Sequence, residues 1–413
     1  MQAPKLPVTE GADGSLRPKT TPGVLLVGNY PNDGQESMQR FGALMLQGLQ
    51  DAGVPVQLLV PKPIFGRLKR SGHGLGKWLG YLDKLLLFPI ALKRAIRRAD
   101  RARPLVVHIC DHSNAVYTKY LQHVPNLVTC HDLLAVRSAL GEFPQNPTRW
   151  SGRRLQSMIL RHLNGALHVT CCSQATRQDL RRLCSLAPAQ TSIIPVALNY
   201  PYSPMPEGEA RFRINNIAQR AGIPAETLAG GFLFHVGGNQ WYKNRMGVLR
   251  IYSHLLKSGA AVPSLWMAGK QFAPEMVSFI AEHRLGQRVW PLEDCDNEDL
   301  RALYTRASAL VFPSLAEGFG WPVIEAQACG CPVACSDLEP FPEVAGEAAV
   351  FCDPADEPAF AKAVLNVIGD APLRQSLIAK GLGNATRYGL PEMISRYLEC
   401  YARLIPVAKE VDA

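Results

Sequence analysis

The chain has 413 residues, 47% of them hydrophobic, and a formal charge of +9; that length exceeds what one core usually serves, so two domains are expected. No run reaches the roughly 18 uninterrupted apolar residues of a membrane-spanning helix, and residues 1–20 lack the apolar core of a signal peptide, reading as a disordered tail. Eleven cysteines, odd in number and scattered, form no zinc spacing and sit mostly in apolar runs, which suits a reduced, cytoplasmic protein with no metal.

Charge is divided unevenly. Residues 1–200 hold 25 Lys+Arg against 11 Asp+Glu, and the remainder 19 against 24. An anionic partner is expected for the first half alone, and no nucleic acid. The first elements are a strand Gly23–Val27, a loop Pro31–Glu36 containing Gly34, an amphipathic helix with Phe41, Leu44, Met45 and Leu49 inward, and a strand Val54–Val60. This is a Rossmann-like start, yet GxGxxG is absent and a nicotinamide site loses its main support. Residues 62–103 follow, with basic residues on both sides of Trp78, Tyr81 and LLLFPIAL. That composition describes either a surface touching an anionic membrane or one packed helix with a solvated basic face.

Strands Leu105–Ile109 and Asn126–Cys130 run into His112 and into His131-Asp132-Leu133. A lone histidine is more often structural than catalytic. Two at strand carboxyl ends, where open α/β sheets bind ligands, shift that balance. Leu167–Ser173 reads as the last strand of the first domain, backed by a helix Gln174–Leu183, and Ser192–Pro206 as a proline-rich linker. The second domain starts at a strand Gly231–Val236 and a loop carrying Gly237, Gly238, Asn239, Lys243 and Arg245, a plausible diphosphate clamp. Strands Leu265–Gly269 and Val289–Leu292 follow, then a helix Asn297–Ala307 capped by Asn297, and finally a helix Met393–Leu404.

The densest chemistry lies in ALVFPSLAEGFGWPVIEAQACGCPVACS, residues 309–336. A short apolar strand Ala309–Phe312 gives way to Glu317-Gly318-Phe319-Gly320-Trp321, with Pro322 in the first turn of a helix that Gly330 closes. The amides of Gly320, Trp321 and Val323 would point from the helix start toward an anion, with Glu325 in its first turn. Glycines 318 and 320 would let backbone approach a ligand. A carboxylate such as Glu317 beside them suits sugar hydroxyls.

Glu-x7-Glu within EGFGWPVIEAQACGCPV resembles the donor-site signature of family 4 glycosyltransferases. The resemblance spans roughly 24–405 and implies the α/β GT-B fold, two Rossmann-like parallel-sheet domains facing across a cleft. The implied divisions are an acceptor domain 21–198, a donor domain 199–390, and a C-terminal segment 391–413 whose helix crosses back. It further implies a retaining, metal-independent hexosyltransferase needing no cofactor beyond its nucleotide-sugar donor, GDP-mannose or a UDP-hexose, and a glycan or lipid-linked acceptor. Carried over, Glu317 and His131 position the sugar, Glu325 holds the ribose, and Lys243 with the Gly318–Trp321 backbone holds the diphosphate. Gly34 and His112 would face the cleft. The family arginine expected before the lysine is absent, with Gly238 and Asn239 in that region, so either Arg245 takes over or one positive charge is missing. Alternatives are a GT-B sugar-nucleotide enzyme acting on a small soluble acceptor, or a non-catalytic nucleotide-sugar-binding protein.

Overall fold

The computed structural model describes residues 22–68, 75–99 and 103–405, with the side chains of 75–78 excluded. The expected tail 1–20 lies outside the described residues, as do Lys69, Arg70, Arg101 and the side chains of Lys77 and Trp78 from the basic stretch. Among the described residues, twelve strands form two six-stranded sheets. The first contains β1 (Gly23–Val27), β2 (Val56–Leu59), β3 (Leu105–Ile109), β4 (Asn126–Cys130), β5 (His168–Cys171) and β6 (Thr191–Ile193), in the order β2-β1-β3-β4-β5-β6. The second contains β7 (Phe232–Val236), β8 (Ser264–Ala268), β9 (Val289–Leu292), β10 (Ala309–Phe312), β11 (Val333–Ser336) and β12 (Val350–Cys352), in the order β12-β11-β10-β7-β8-β9. Every pairing is parallel. The strands are short apolar runs because helices cover both faces, as parallel sheets require.

Strand order reverses between β1 and β3 in the first sheet and between β7 and β10 in the second. Crevices open at the carboxyl ends of such pairs. The chain thus carries two switch points, one per domain.

The helix Glu36–Asp51 buries Phe41, Met45 and Leu49 against the first sheet. The last helix, Leu390–Leu404, begins three residues earlier than the sequence suggests and packs on that same sheet. The Tyr397 hydroxyl lies 2.9 Å from Thr129 Oγ1, and Tyr401 OH lies 2.7 Å from His108 Nδ1. Burial pushes the His108 pKa down to about 3, so this core imidazole is neutral. A Cβ at Gly48 would lie 2.5 Å from Ile394 Cγ1, so glycine is what lets the two helices meet.

Four local expectations are corrected. The first domain ends on β6 rather than β5, and β6 takes the start of the expected linker. A helix Glu207–Ala221 packs Ala210, Ile214 and Ile217 into the second domain's core ahead of its first strand. Asp296, not Asn297, caps the helix Asn297–Arg306, its carboxylate accepting from Asp299 N at 2.7 Å. Glu325 stands beyond the first turn of the helix Trp321–Ala328.

The basic stretch is a helix Leu75–Leu82, a π-helical turn Asp83–Leu87 and a helix Phe88–Arg98. Phe88, Pro89 and Leu92 face the core, while Leu86 and Ile90 are exposed. Asp83 is buried beneath and accepts bonds from Tyr30 OH and from the amides of Ile64, Phe65 and Gly66 at 2.8–3.1 Å. That anchor holds Ile64, Phe65 and Leu68 out in solvent. All eleven cysteines are free, nine of them buried.

Candidate active site

The second switch point brings together two groups that lie 74 residues apart in sequence. Lys243 leaves the loop after β7, Glu317 leaves the loop after β10, and Lys243 Nζ stands 2.5 Å from Glu317 Oε1. The two loops are stitched by backbone and side chain. Leu315 N donates to Tyr242 O at 2.7 Å, and Asn244 Nδ2 donates to Pro313 O at 2.9 Å. Asn244 adopts a left-handed φ of 52° and its side-chain oxygen caps the helix Arg245–Lys257. This left-handed, capping Asn joins the loop to the helix directly after Lys243.

Arg245 is turned inward. Its Nη1 donates to Lys270 O at 2.8 Å and to Asn239 Oδ1, and the guanidinium stacks over Phe272. Asn239 in turn donates to Gln271 O at 2.9 Å. Arg245 Nε and Nη2 are buried with no partner among the described residues, and burial pulls the pKa down. Asn239 and Arg245 therefore brace the glycine loop against the segment after β8, with two guanidinium nitrogens in reserve.

At the first switch point a polar cluster closes on itself. Asp111, at the end of β3, is buried and accepts from Asn29 Nδ2 at 2.6 Å, from Ser113 N at 3.2 Å and from the Ser113 hydroxyl. Asn29 also donates to Gln35 Oε1 at 2.6 Å and accepts from Asn114 Nδ2 at 3.2 Å. His112 Nδ1 lies 3.1 Å from Asp111 Oδ1. Burial disfavours a charged His112, but the Asp111 carboxylate outweighs it and the pKa is raised. Burial likewise opposes the Asp111 charge, and His112 with the surrounding hydrogen bonds holds it well below the usual carboxylate range.

His131, at the end of β4, donates Nε2–H to the Cys110 carbonyl at 2.9 Å, since a carbonyl can only accept. Its ring meets Phe41 edge-on at 4.5 Å. Burial lowers its pKa, so the ring is neutral with its lone pair on Nδ1. Gly34 occupies an exposed left-handed turn, φ 66°, directly before Gln35, whose side chain accepts from Asn29.

The 318–325 segment behaves differently from the sequence expectation. The first domain packs directly on Gly318, for a Cβ there would fall 2.0 Å from His131 O and 2.8 Å from Asp132 Cβ. Phe319 is buried against Tyr388, and the Trp321 indole donates to Ala197 O at 2.9 Å. Gly320 caps the helix with φ 94°. The Val323 amide is not free for an anion, because it donates to Gly320 O at 3.0 Å. Glu325 is buried, with Tyr304 OH at 2.9 Å and Asn199 Nδ2 at 3.1 Å on its two oxygens. Burial raises its pKa, although those bonds and the positive charges of Arg40 and Lys243 pull the other way. A ribose would have to share a carboxylate already held on both sides.

Residues 225–382 match the family described as Glycosyl transferases group 1, and residues 38–199 match Glycosyltransferase Family 4. The former match spans the whole second sheet and the latter the first sheet from β2 onward. The chain is a family 4 glycosyltransferase of GT-B fold. Among curated relatives of this glycosyltransferase, O-antigen chain mannosyltransferase B of Escherichia coli is 25% identical over 70% of this chain and 75% of its own. O-antigen chain mannosyltransferase RfbU of Salmonella typhimurium is 36% identical, over 23% of this chain and 27% of its own. Sucrose-phosphate synthase from Thermosynechococcus elongatus superposes with a TM-score of 0.70 at 20% identity, covering 93% of this chain and 99% of that one. Anabaena HepE in complex with UDP and glucose superposes at 0.68 and 15% identity, covering 92% and 99%. Sequence reading of this glycosyltransferase passed over Asn29 and Asp111 as site residues. The signal was there in Asp111-His112, an acid and a base at one strand end.

Proposed function

We propose that this glycosyltransferase moves a hexose, with mannose the leading candidate, from a nucleoside-diphosphate donor to a glycan or lipid-linked acceptor in polysaccharide or glycolipid synthesis. The Lys243–Glu317 pair at the second switch point carries the reading. A sugar nucleotide would enter between the two. Lys243 would release the carboxylate and take the diphosphate, and Glu317 would take sugar hydroxyls. The developing charge on the leaving diphosphate would be met by Lys243, the spare nitrogens of Arg245 and the amides of Gly320 and Trp321. These positive groups support a metal-independent transfer. Family membership supports retention of configuration, with Glu317 and His131 positioning the sugar rather than attacking it. The relatives named above as O-antigen mannosyltransferases favour mannose and a polysaccharide product.

We extend the reading to the inner face of the cytoplasmic membrane. Exposed Ile64, Phe65, Leu68, Leu86 and Ile90 lie on the same stretch as exposed Lys62, Arg67, Arg94, Arg97 and Arg98. Apolar insertion plus about 1 kcal/mol per basic residue near an anionic leaflet supports reversible attachment. Among the described residues no helix is long and apolar enough to cross a membrane.

Incubation of the purified chain with GDP-mannose and with UDP-hexoses tests the donor assignment. Nucleoside diphosphate release and thermal stabilisation by one of them is the expected result. Indifference to every sugar nucleotide would sink it. Co-sedimentation with anionic liposomes, weakened by salt and by Arg94, Arg97 and Arg98 changed together to Glu, tests attachment.

A further inference from the structure

Two backbone carbonyls from opposite domains face each other where the sheets meet. One belongs to His131, at the end of β4, and the other to Gly318, one residue beyond Glu317. Facing carbonyls repel unless donors stand between them, and a buried carbonyl without a donor is costly. Three donors stand there, from the turn after β5 and the first turn of the helix Gln174–Leu183 that follows it. The Ser173 hydroxyl lies 2.7 Å from Gly318 O. The Cys172 thiol lies 2.9 Å from His131 O and 3.2 Å from Gly318 O. The Thr176 hydroxyl lies 3.3 Å from each. All three residues are buried, and Ser173 is fully inaccessible. A second interdomain bond adjoins them, from Gln174 N to the Glu343 carboxylate at 2.7 Å.

We infer that Ser173, with Cys172 and Thr176, is a positioning group that clasps Gly318 and thereby sets Glu317 against His131 when the cleft is closed. It rests on the donor-site reading above. Gly318 is bonded directly to Glu317, and the other clasped carbonyl belongs to His131 itself, so the clasp fixes both partners at their own backbones. Only glycine at 318 permits the approach. Once the domains separate, water takes over the three donors and the two groups lose their register. Nucleotide binding, which uses the second domain alone, does not need the clasp.

Ser173 also caps the helix Gln174–Leu183, accepting from Thr176 N at 3.2 Å, so the variants must separate capping from clasping. Ser173→Gly loses the donor yet remains a tolerated cap. Gly318→Ala leaves every donor in place and blocks the approach. For Ser173→Gly we expect turnover to fall about 10-fold, with Ser173→Thr restoring it within about 3-fold. For Gly318→Ala we expect a fall of about 100-fold or more, and a larger radius of gyration in solution X-ray scattering. Nucleoside diphosphate affinity by calorimetry should stay within about 3-fold of wild type in both Ser173 variants. Unchanged turnover in both Ser173→Gly and Gly318→Ala overturns the clasp. Affinity falling in step with turnover in the Ser173 variants also overturns it, since that marks a merely structural loss. Wild-type chain that transfers no sugar would instead contradict the donor-site reading.

Discussion

The two switch points solve different problems with similar parts. In the first domain Asp111, Asn29, Ser113 and Asn114 hydrogen-bond one another, and His112 Nδ1, 3.1 Å from Asp111 Oδ1, is the one member left without a hydrogen bond among the described residues. In the second, Lys243 and Glu317 have mainly each other, 15% and 10% exposed, and Arg245 keeps two nitrogens unused. A closed network is rigid and sets where an incoming hydroxyl can lie. An ion pair that a ligand can part is a site waiting for a group with a negative end and a hydroxylated end. Under the proposed function, the difference favours the donor at the second switch point and the acceptor at the first.

Breaking the exchangeable pair should have the largest effect. Glu317→Gln keeps shape but loses the charge-assisted contact to sugar hydroxyls, and turnover should fall about 100- to 1,000-fold; a donor assay on folded protein with near-normal rate would remove Glu317 from the site. Lys243→Ala should weaken nucleoside diphosphate binding by about 10- to 100-fold, the worth of a hydrogen bond to a charged group, as read by calorimetry. Equal affinity would shift the phosphate contact to Arg245.

The closed cluster should respond in stability first. Asp111→Asn turns one acceptor oxygen into an NH2 that must face either Asn29 Nδ2 or the Ser113 amide, both donors, and a loss of about 1–3 kcal/mol in chemical unfolding is expected. His112 sharpens the point through pH. Its folded pKa is raised, so its stabilising contribution is complete below the ordinary value near 6.5 and fades as pH rises through the raised value. The deficit of His112→Gln should therefore be largest in acid and shrink toward alkaline pH; a deficit that grows with pH would mean the ring is neutral. The smallest effect lies outside both sites. Asp296→Ala should cost about 1 kcal/mol as a lost helix cap, and Asn297→Ala far less.

Much of this was legible in the chain. Apolar runs of four or five residues ending in glycine or polar loops mark β1, β3, β4, β7 and β10, because parallel strands are buried on both faces and need no alternation. The loops bearing Lys243, Glu317 and His131 follow directly. β6 escaped notice because it is three residues long and runs into Pro195, a residue that reads as a linker. Asp296 and Asn297 are both good caps, and sequence cannot choose between neighbours. The Val323 amide is consumed because the left-handed Gly320 lets its carbonyl turn back to it. The Lys243–Glu317 pair and the Ser173–Gly318 clasp join residues 74 and 145 apart. Such partners exist only once two strands, or two domains, are side by side.

The central claim, that donor and phosphate lie between Lys243 and Glu317, is tested most directly by comparing two ligands on three proteins. Calorimetric titration would use an intact sugar nucleotide that the wild type accepts, and its nucleoside diphosphate. Lys243→Ala should weaken both ligands alike, by about 10-fold or more. Glu317→Gln should weaken the sugar nucleotide alone and leave the nucleoside diphosphate within about 3-fold of wild type. Loss of both ligands in Glu317→Gln, or of neither in Lys243→Ala, would contradict the account.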